Sequence, residues 1–137
     1  MQESAEVRGA MLRYYEAAGT ADFDTAERLV TRRSPALVVG TGPGEGHDRR
    51  EAWVAGFRSQ VEALPGLRIE PGAGPRAYAE GPVGWFFDEP TWVVPDGTRI
   101  PTRWTSVLHE EDGDWRIVHM HVSLGVPDEK MGDVLGG

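Results

Sequence analysis

Apolar residues recur at helical spacing in the first half of the chain and at strand spacing in the second. Val7, Met11, Tyr14 and Ala18 fall at i, i+4, i+7 and i+11, one face of a helix. Ser4 is placed to cap that helix and Gly19 to stop it. A second, short helix is expected with Asp24 as its cap, Glu27 completing a capping box, and Ala26, Leu29 and Val30 as its apolar side. Ser34-Pro35 breaks it, and Ala36-Leu37-Val38-Val39 reads as a short buried strand. A glycine-rich loop, Gly40 to Gly46, leads to a third helix. Its expected start is Asp48, capping with Glu51, and Trp53, Val54, Phe57, Val61 and Leu64 share its apolar face; Pro65-Gly66 ends it.

From Leu67 onward the pattern is β. Strands are expected at Leu67 to Ile69, Arg76 to Ala79, Val83 to Phe87, Thr91 to Val94, Ile100 to Leu108 and Trp115 to Ser123. Pro95-Asp96-Gly97-Thr98 and Glu110-Glu111-Asp112-Gly113-Asp114 are turns by their chemistry. Helices followed by consecutive hairpins predict an α+β domain: a curved antiparallel sheet with about three helices packed on one face. The inner face of such a cone-shaped sheet, closed by helices, makes a cavity, and cavities of this kind are the default place for a ligand.

The chain of 137 residues suits a single domain over 1–137, with the polar tail 126–137 expected to be loosely ordered. It has no cysteine, which excludes disulfides, thiolate catalysis and cysteine-ligated zinc. With 14 Lys plus Arg against 22 Asp plus Glu, the formal net charge is -8, so no nucleic-acid partner is expected. The basic doublets Arg32-Arg33 and Arg49-Arg50 are too small to change that. No apolar run reaches the roughly 20 residues of a membrane span, and no signal-like segment opens the chain. A cytoplasmic protein with no membrane partner is the expectation.

Three stretches carry a family resemblance: Val39-Gly40-Thr41-Gly42-Pro43-Gly44-Glu45-Gly46, then Pro95-Asp96-Gly97 followed by Arg103 to Leu108, and Asp112-Gly113-Asp114-Trp115 to Ser123. With the element order they make the chain resemble the SnoaL-like branch of the nuclear-transport-factor-2-like superfamily. The resemblance implies a cystatin-like fold and a homodimer or larger ring. The last stretch is also similar to the association domain of calcium/calmodulin-dependent kinase II, in which an arginine stands beside the paired histidines; Val122 stands there here. Among the ketosteroid isomerases of the superfamily, the helix-one tyrosine corresponds to Tyr14. The base and the protonated acid have no counterpart, because neither Ala36 to Gly40 nor Arg103 to Leu108 contains a carboxylate. Fold alone does not choose among the superfamily's activities.

His119 and His121, two apart on a strand, share a face. They invite a metal reading, but a third ligand would have to come from His109, His47 or a carboxylate, so no metal is assigned. As acid–base groups, His119 and His121 have the right intrinsic pKa, with Tyr14 or Asp88 as partner. Hydrogen bonding at a subunit interface is the plainer role for both. Tyr14 aims a hydroxyl at whatever the first helix covers. Trp53, Phe57, Trp85, Trp104 and Met120, with Tyr14, are the candidate lining of an apolar pocket. Trp115 is expected to pack on a helix instead. The glycine-rich loop lacks both the Walker and the dinucleotide spacing and reads as a connection. Arg103 is expected to pair with Asp88 or Glu89. The resulting expectation is a homodimeric protein without a cofactor that binds a small hydrophobic molecule. Its catalytic form is an isomerase or lyase using His119, His121 and Tyr14. The alternative is a non-catalytic dimeric association module.

Overall fold

The computed structural model describes residues 1–33 and 35–136. Ser34, half of the break expected after the second helix, lies outside the described residues, as does Gly137 at the end of the tail. The order is β1 (Gln2–Glu3), α1 (Ala5–Thr20), α2 (Phe23–Leu29), β2 (Leu37–Val39), β3 (Gly46–His47), α3 (Arg50–Ala63) and β4 (Arg68–Glu70). Then come β5 (Arg76–Glu80), β6 (Val83–Asp88), β7 (Thr91–Val93), β8 (Arg99–Glu111), β9 (Asp114–Leu124) and a tail with a 3-10 turn (Asp128–Lys130) and the one-turn α4 (Met131–Val134).

Helix α1 follows its apolar stripe. Ser4 caps it, accepting from Val7 N at 3.1 Å, and Val7, Met11 and Tyr14 are buried with Ala10, Tyr15 and Ala17. Gly19 does not end the helix: it continues to Thr20, and Ala21 takes the left-handed conformation at φ 54°. The cap of α2 is Asp22, two residues before the expected Asp24, because its carboxylate reaches Thr25 N at 3.1 Å. Helix α3 begins at Arg50, and neither Asp48 nor Glu51 caps it. Of its apolar residues only Trp53 is fully buried. The rest of that face covers a cavity instead of a packed core.

The nine strands form a curved sheet in the order β1-β5-β6-β8-β9-β2-β3, with β4 and β7 continuing from the first part of β8. Among the described residues the paired strands run antiparallel except β2 on β9, and the isolated bridge of Val30 with Ile117 is parallel as well. The β8–β9 hairpin turns through Asp112 at φ 52° and Gly113 at φ 86°, two positive values that match the strands' twist. Val107 pairs with His119 but Leu108 pairs with Ile117, so Val118 is the extra residue of a β-bulge. The bulge reverses the parity of β9: Trp115 and Ile117 face inward before it, Met120 and Val122 after it.

The core lies between α1, α2 and the concave sheet face, around Met11, Tyr15, Trp53, Phe86, Leu108 and Ile117. Gly84 lets β6 approach α1, since a Cβ there would sit 2.6 Å from Val7 Cγ2. Beside it, Trp115 donates to Glu6 Oε2 at 3.2 Å and so packs on α1, as expected. Asp88 accepts from Tyr15 Oη at 3.0 Å and from Gly72 N, which ties the β4–β5 connection to the core. Asp88 is therefore not the partner of Arg103. Arg103 points to the outer face, where its Nε donates to Ser123 Oγ at 3.3 Å. Buried Glu111 accepts from Thr31 Oγ1 and from Arg32 N, and stands 3.8 Å from Arg116 Nε. That network pins the end of α2 to the β8–β9 hairpin.

Candidate functional site

A cavity of about 450 Å³ opens between α3, the end of α1 and the concave sheet face. Its walls are largely apolar: Tyr14 and Ala18 from α1, Trp53, Phe57 and Val61 from α3, Val38 from β2, Ile69 and Trp92 from β4 and β7, Trp104 from β8, and Met120 and Val122 from β9. From Thr102 to Leu108 the even-numbered residues of β8 face inward, so Trp104, Ser106 and Leu108 share the concave side. On β9 the bulge delivers Met120 and Val122 to the same side.

Tyr14 sits at the closed end, 3% exposed. Its hydroxyl accepts from Trp53 Nε1 at 3.1 Å, so its own proton remains to be donated. Burial pushes the Tyr14 pKa up to about 12, against which the Trp53 hydrogen bond acts weakly. The ring lies 5.2 Å from Phe57 and 6.4 Å from Trp104, centroid to centroid. The buried indole nitrogens of Trp92 and Trp104, both residues of the wall, have no hydrogen-bond partner among the described residues. Both nitrogens are covered by protein atoms and do not open onto the cavity.

The structure brings Tyr14, Trp53, Phe57, Trp104 and Met120 together in this wall. It does not bring His119, His121 or Trp85 there. Bulged β9 turns both histidines to the outer face, where His119 Nδ1 lies 2.9 Å from Leu37 O and His121 is exposed. The sheet therefore separates them from Tyr14, and the three cannot act on one ligand bound in the cavity. Trp85 is also outside, stacked on Tyr78 at 4.9 Å because odd-numbered β6 residues point away from the helices. No cluster of three or more metal-ligating side chains occurs among the described residues.

The outer face has a pattern of its own. Register places Tyr78, Trp85, Val107, His119 and Leu37 in one row across β5, β6, β8, β9 and β2. Trp85, Val107 and Leu37 in that row are 39%, 37% and 42% exposed, and Val83 beside them 48%.

Several wall residues were not assigned to the pocket from the sequence. Trp92 was one of five tryptophans without a settled place, Glu45 was part of the glycine-rich loop, and His47 was named only as a possible third metal ligand. His47 stands opposite Val38 on β3, and its Nε2 would be 2.4 Å from a Cβ at Gly56. A glycine in the middle of a helical apolar face was the available clue.

Among solved structures the chain is similar to a protein of unknown function with a nuclear-transport-factor-2-like fold from Pseudomonas putida. That match has 16% identity and a TM-score of 0.80, covering 92% of this chain and 89% of the other. It is also similar to a proposed dehydratase of the same fold family from Streptomyces avermitilis, with 14% identity, a TM-score of 0.78, and coverage of 89% and 95%. A proposed calcium/calmodulin-dependent kinase II association domain from Thiobacillus denitrificans matches at 21% identity and TM-score 0.74, covering 85% and 93%. At these identities the likeness is one of fold. No curated protein sequence matches the chain. The SnoaL-like domain model matches residues 7–128. The chain therefore belongs to the SnoaL-like domain family.

Proposed function

We propose that this protein binds a small, flat, hydrophobic molecule in the cavity beneath α3. The observation that carries the reading is the Tyr14 hydroxyl: it accepts from Trp53, lies at the closed end of an apolar space of about 450 Å³, and keeps its own proton free to donate. A ligand with an acceptor at its inner end would satisfy a donor that otherwise bears the cost of burial. The catalytic form of this reading is an isomerase or lyase reaction without a cofactor, with Tyr14 stabilising charge that develops on a ligand oxygen. His119 and His121 have no access to such a ligand, so any proton acceptor would come from the cavity wall.

Calorimetric titration with 2-naphthol tests the binding reading. Saturable binding to the wild type, lost in Val61→Trp, which fills the space, is the expected result. Absence of binding to the folded wild type, or binding that Val61→Trp leaves intact, contradicts it.

A second reading concerns assembly. The row of Tyr78, Trp85, Val107, His119 and Leu37 is an exposed, largely apolar strip across five strands, and it favours a homodimer joined through the outer sheet face. Light scattering at increasing protein concentration should give a dimer for the wild type and a monomer for Trp85→Glu. An unchanged mass for that variant contradicts this interface.

A further inference from the structure

We propose that Glu45 and His47 form the polar end of the cavity, where they hold a hydroxyl group of the ligand. This rests on the binding reading above. The two residues are two apart at the entry to β3, and both line the cavity at its open side. His47 pairs directly with Val38, so the two side chains share the concave face.

The glycines around them are explained by these two side chains. Gly56 lies mid-way along α3, where alanine would be the better helix former. A Cβ at that position would meet His47 Nε2 at 2.4 Å and Cδ2 at 3.0 Å. The missing side chain is the seat that lets the imidazole lie against the helix. Glu45 folds back over its own loop in the same way. Its Oε2 accepts from Gly42 N at 2.9 Å and stands 3.5 Å from Thr41 Oγ1. A Cβ at Gly40 would lie 2.9 Å from Oε2, and one at Gly42 2.8 Å from Oε1. Three glycines thus leave space for two titratable side chains on one rim of an otherwise apolar cavity. The His47 ring and Glu45 Oε1 make no hydrogen bond among the described residues.

The Tyr14 donor belongs to the cavity's wall, and the acceptors belong to its rim. That arrangement fits a molecule with an aromatic or alicyclic body and a hydroxyl directed at Glu45 and His47. A carboxylate accepts only, and an imidazole can offer an acceptor nitrogen, so a hydroxyl that donates is matched and a methyl ether is not.

Titration calorimetry with 2-naphthol and with 2-methoxynaphthalene separates this inference from the reading on which it rests. Wild type should bind 2-naphthol more tightly. His47→Ala should weaken 2-naphthol about ten-fold, the effect of one lost hydrogen bond, and leave the ether unchanged. Gly56→Ala should reproduce that loss with no drop in melting temperature. In the His47→Ala background it should cause no further loss, because the methyl group then has nothing to displace. Binding of both probes with equal affinity to wild type and His47→Ala overturns the inference and leaves the cavity reading standing. An additive loss in the double variant overturns the role given to Gly56. Failure of the wild type to bind either probe removes both proposals.

Discussion

Trp53 Nε1 donates to the Tyr14 hydroxyl across 3.1 Å, and both residues are buried. The contact joins α1 to α3 at the closed end of the cavity, so the same hydrogen bond serves packing and orients the one hydroxyl aimed from α1. Tyr14→Phe removes the acceptor and leaves the indole N–H buried alone. The expected cost is about 1–3 kcal/mol, read by urea unfolding followed by circular dichroism. Affinity for 2-methoxynaphthalene, whose ether oxygen can accept from Tyr14, should fall in the same variant. A variant as stable as wild type would show that the hydrogen bond does not hold these helices.

The pH dependence has a definite sign. Tyr14 has its pKa pushed from 10 up to about 12 by burial, so folding favours the neutral phenol. Stability from this source is complete below pH 10 and is lost as pH rises toward 12, by about 3 kcal/mol in total. Tyr15 is shifted in the same direction, by burial first and by the neighbouring Asp88 second. Thermal melts between pH 8 and pH 11.5 should be flat up to about pH 10 and then fall. Tyr14→Phe should show a shallower fall. The Tyr14 donor, being neutral throughout the physiological range, should give binding of 2-methoxynaphthalene, which does not ionise, that does not change between pH 7 and pH 9.

Glu111 is the acceptor on which Thr31, Arg32 and Arg116 converge. Glu111→Ala leaves the buried Arg116 guanidinium without its inner carboxylate, with the Arg28 carbonyl and the exposed Asp114 carboxylate, the latter at 3.8 Å, as its partners among the described residues. Loss of about 3–5 kcal/mol is expected from equilibrium denaturation. Glu111→Gln keeps an acceptor for Thr31 and should cost less.

His119→Ala and His121→Ala should leave 2-naphthol affinity unchanged, because the sheet stands between them and the cavity. Each should alter stability by only about 0.5 kcal/mol, as for other partly exposed surface positions. His119→Ala is expected to affect self-association instead, since its ring occupies the outer row between Val107 and Leu37. A loss of ligand affinity in either variant would contradict the placement of the binding site.

The fold was legible because its signals are periodic. The α1 stripe of Val7, Met11 and Tyr14, and the Asp112-Gly113 turn, state their structure locally. The site was legible in part: Tyr14, Trp53, Phe57, Trp104 and Met120 do meet in one wall. The histidines drew attention away from it. Sequence alternation cannot show that Val118 is a bulge, and one extra residue decides which side of the sheet His119 and His121 occupy. Helix α3 raised a similar ambiguity, since the same spacing describes a face packed on a core and a face covering an open space. Glu45 and His47 were hidden because β3 is two residues long, too short for any period to show.

The tryptophans provide the most direct test. The five indole N–H groups give separate signals in a ¹⁵N–¹H correlation spectrum. On titration with 2-naphthol, the signals of Trp53, Trp92 and Trp104 should move together, while those of Trp85 on the outer face and Trp115 against α1 stay in place. Movement confined to Trp85 and Trp115, or none at saturating probe, would contradict the claim that this cavity binds a small hydrophobic molecule.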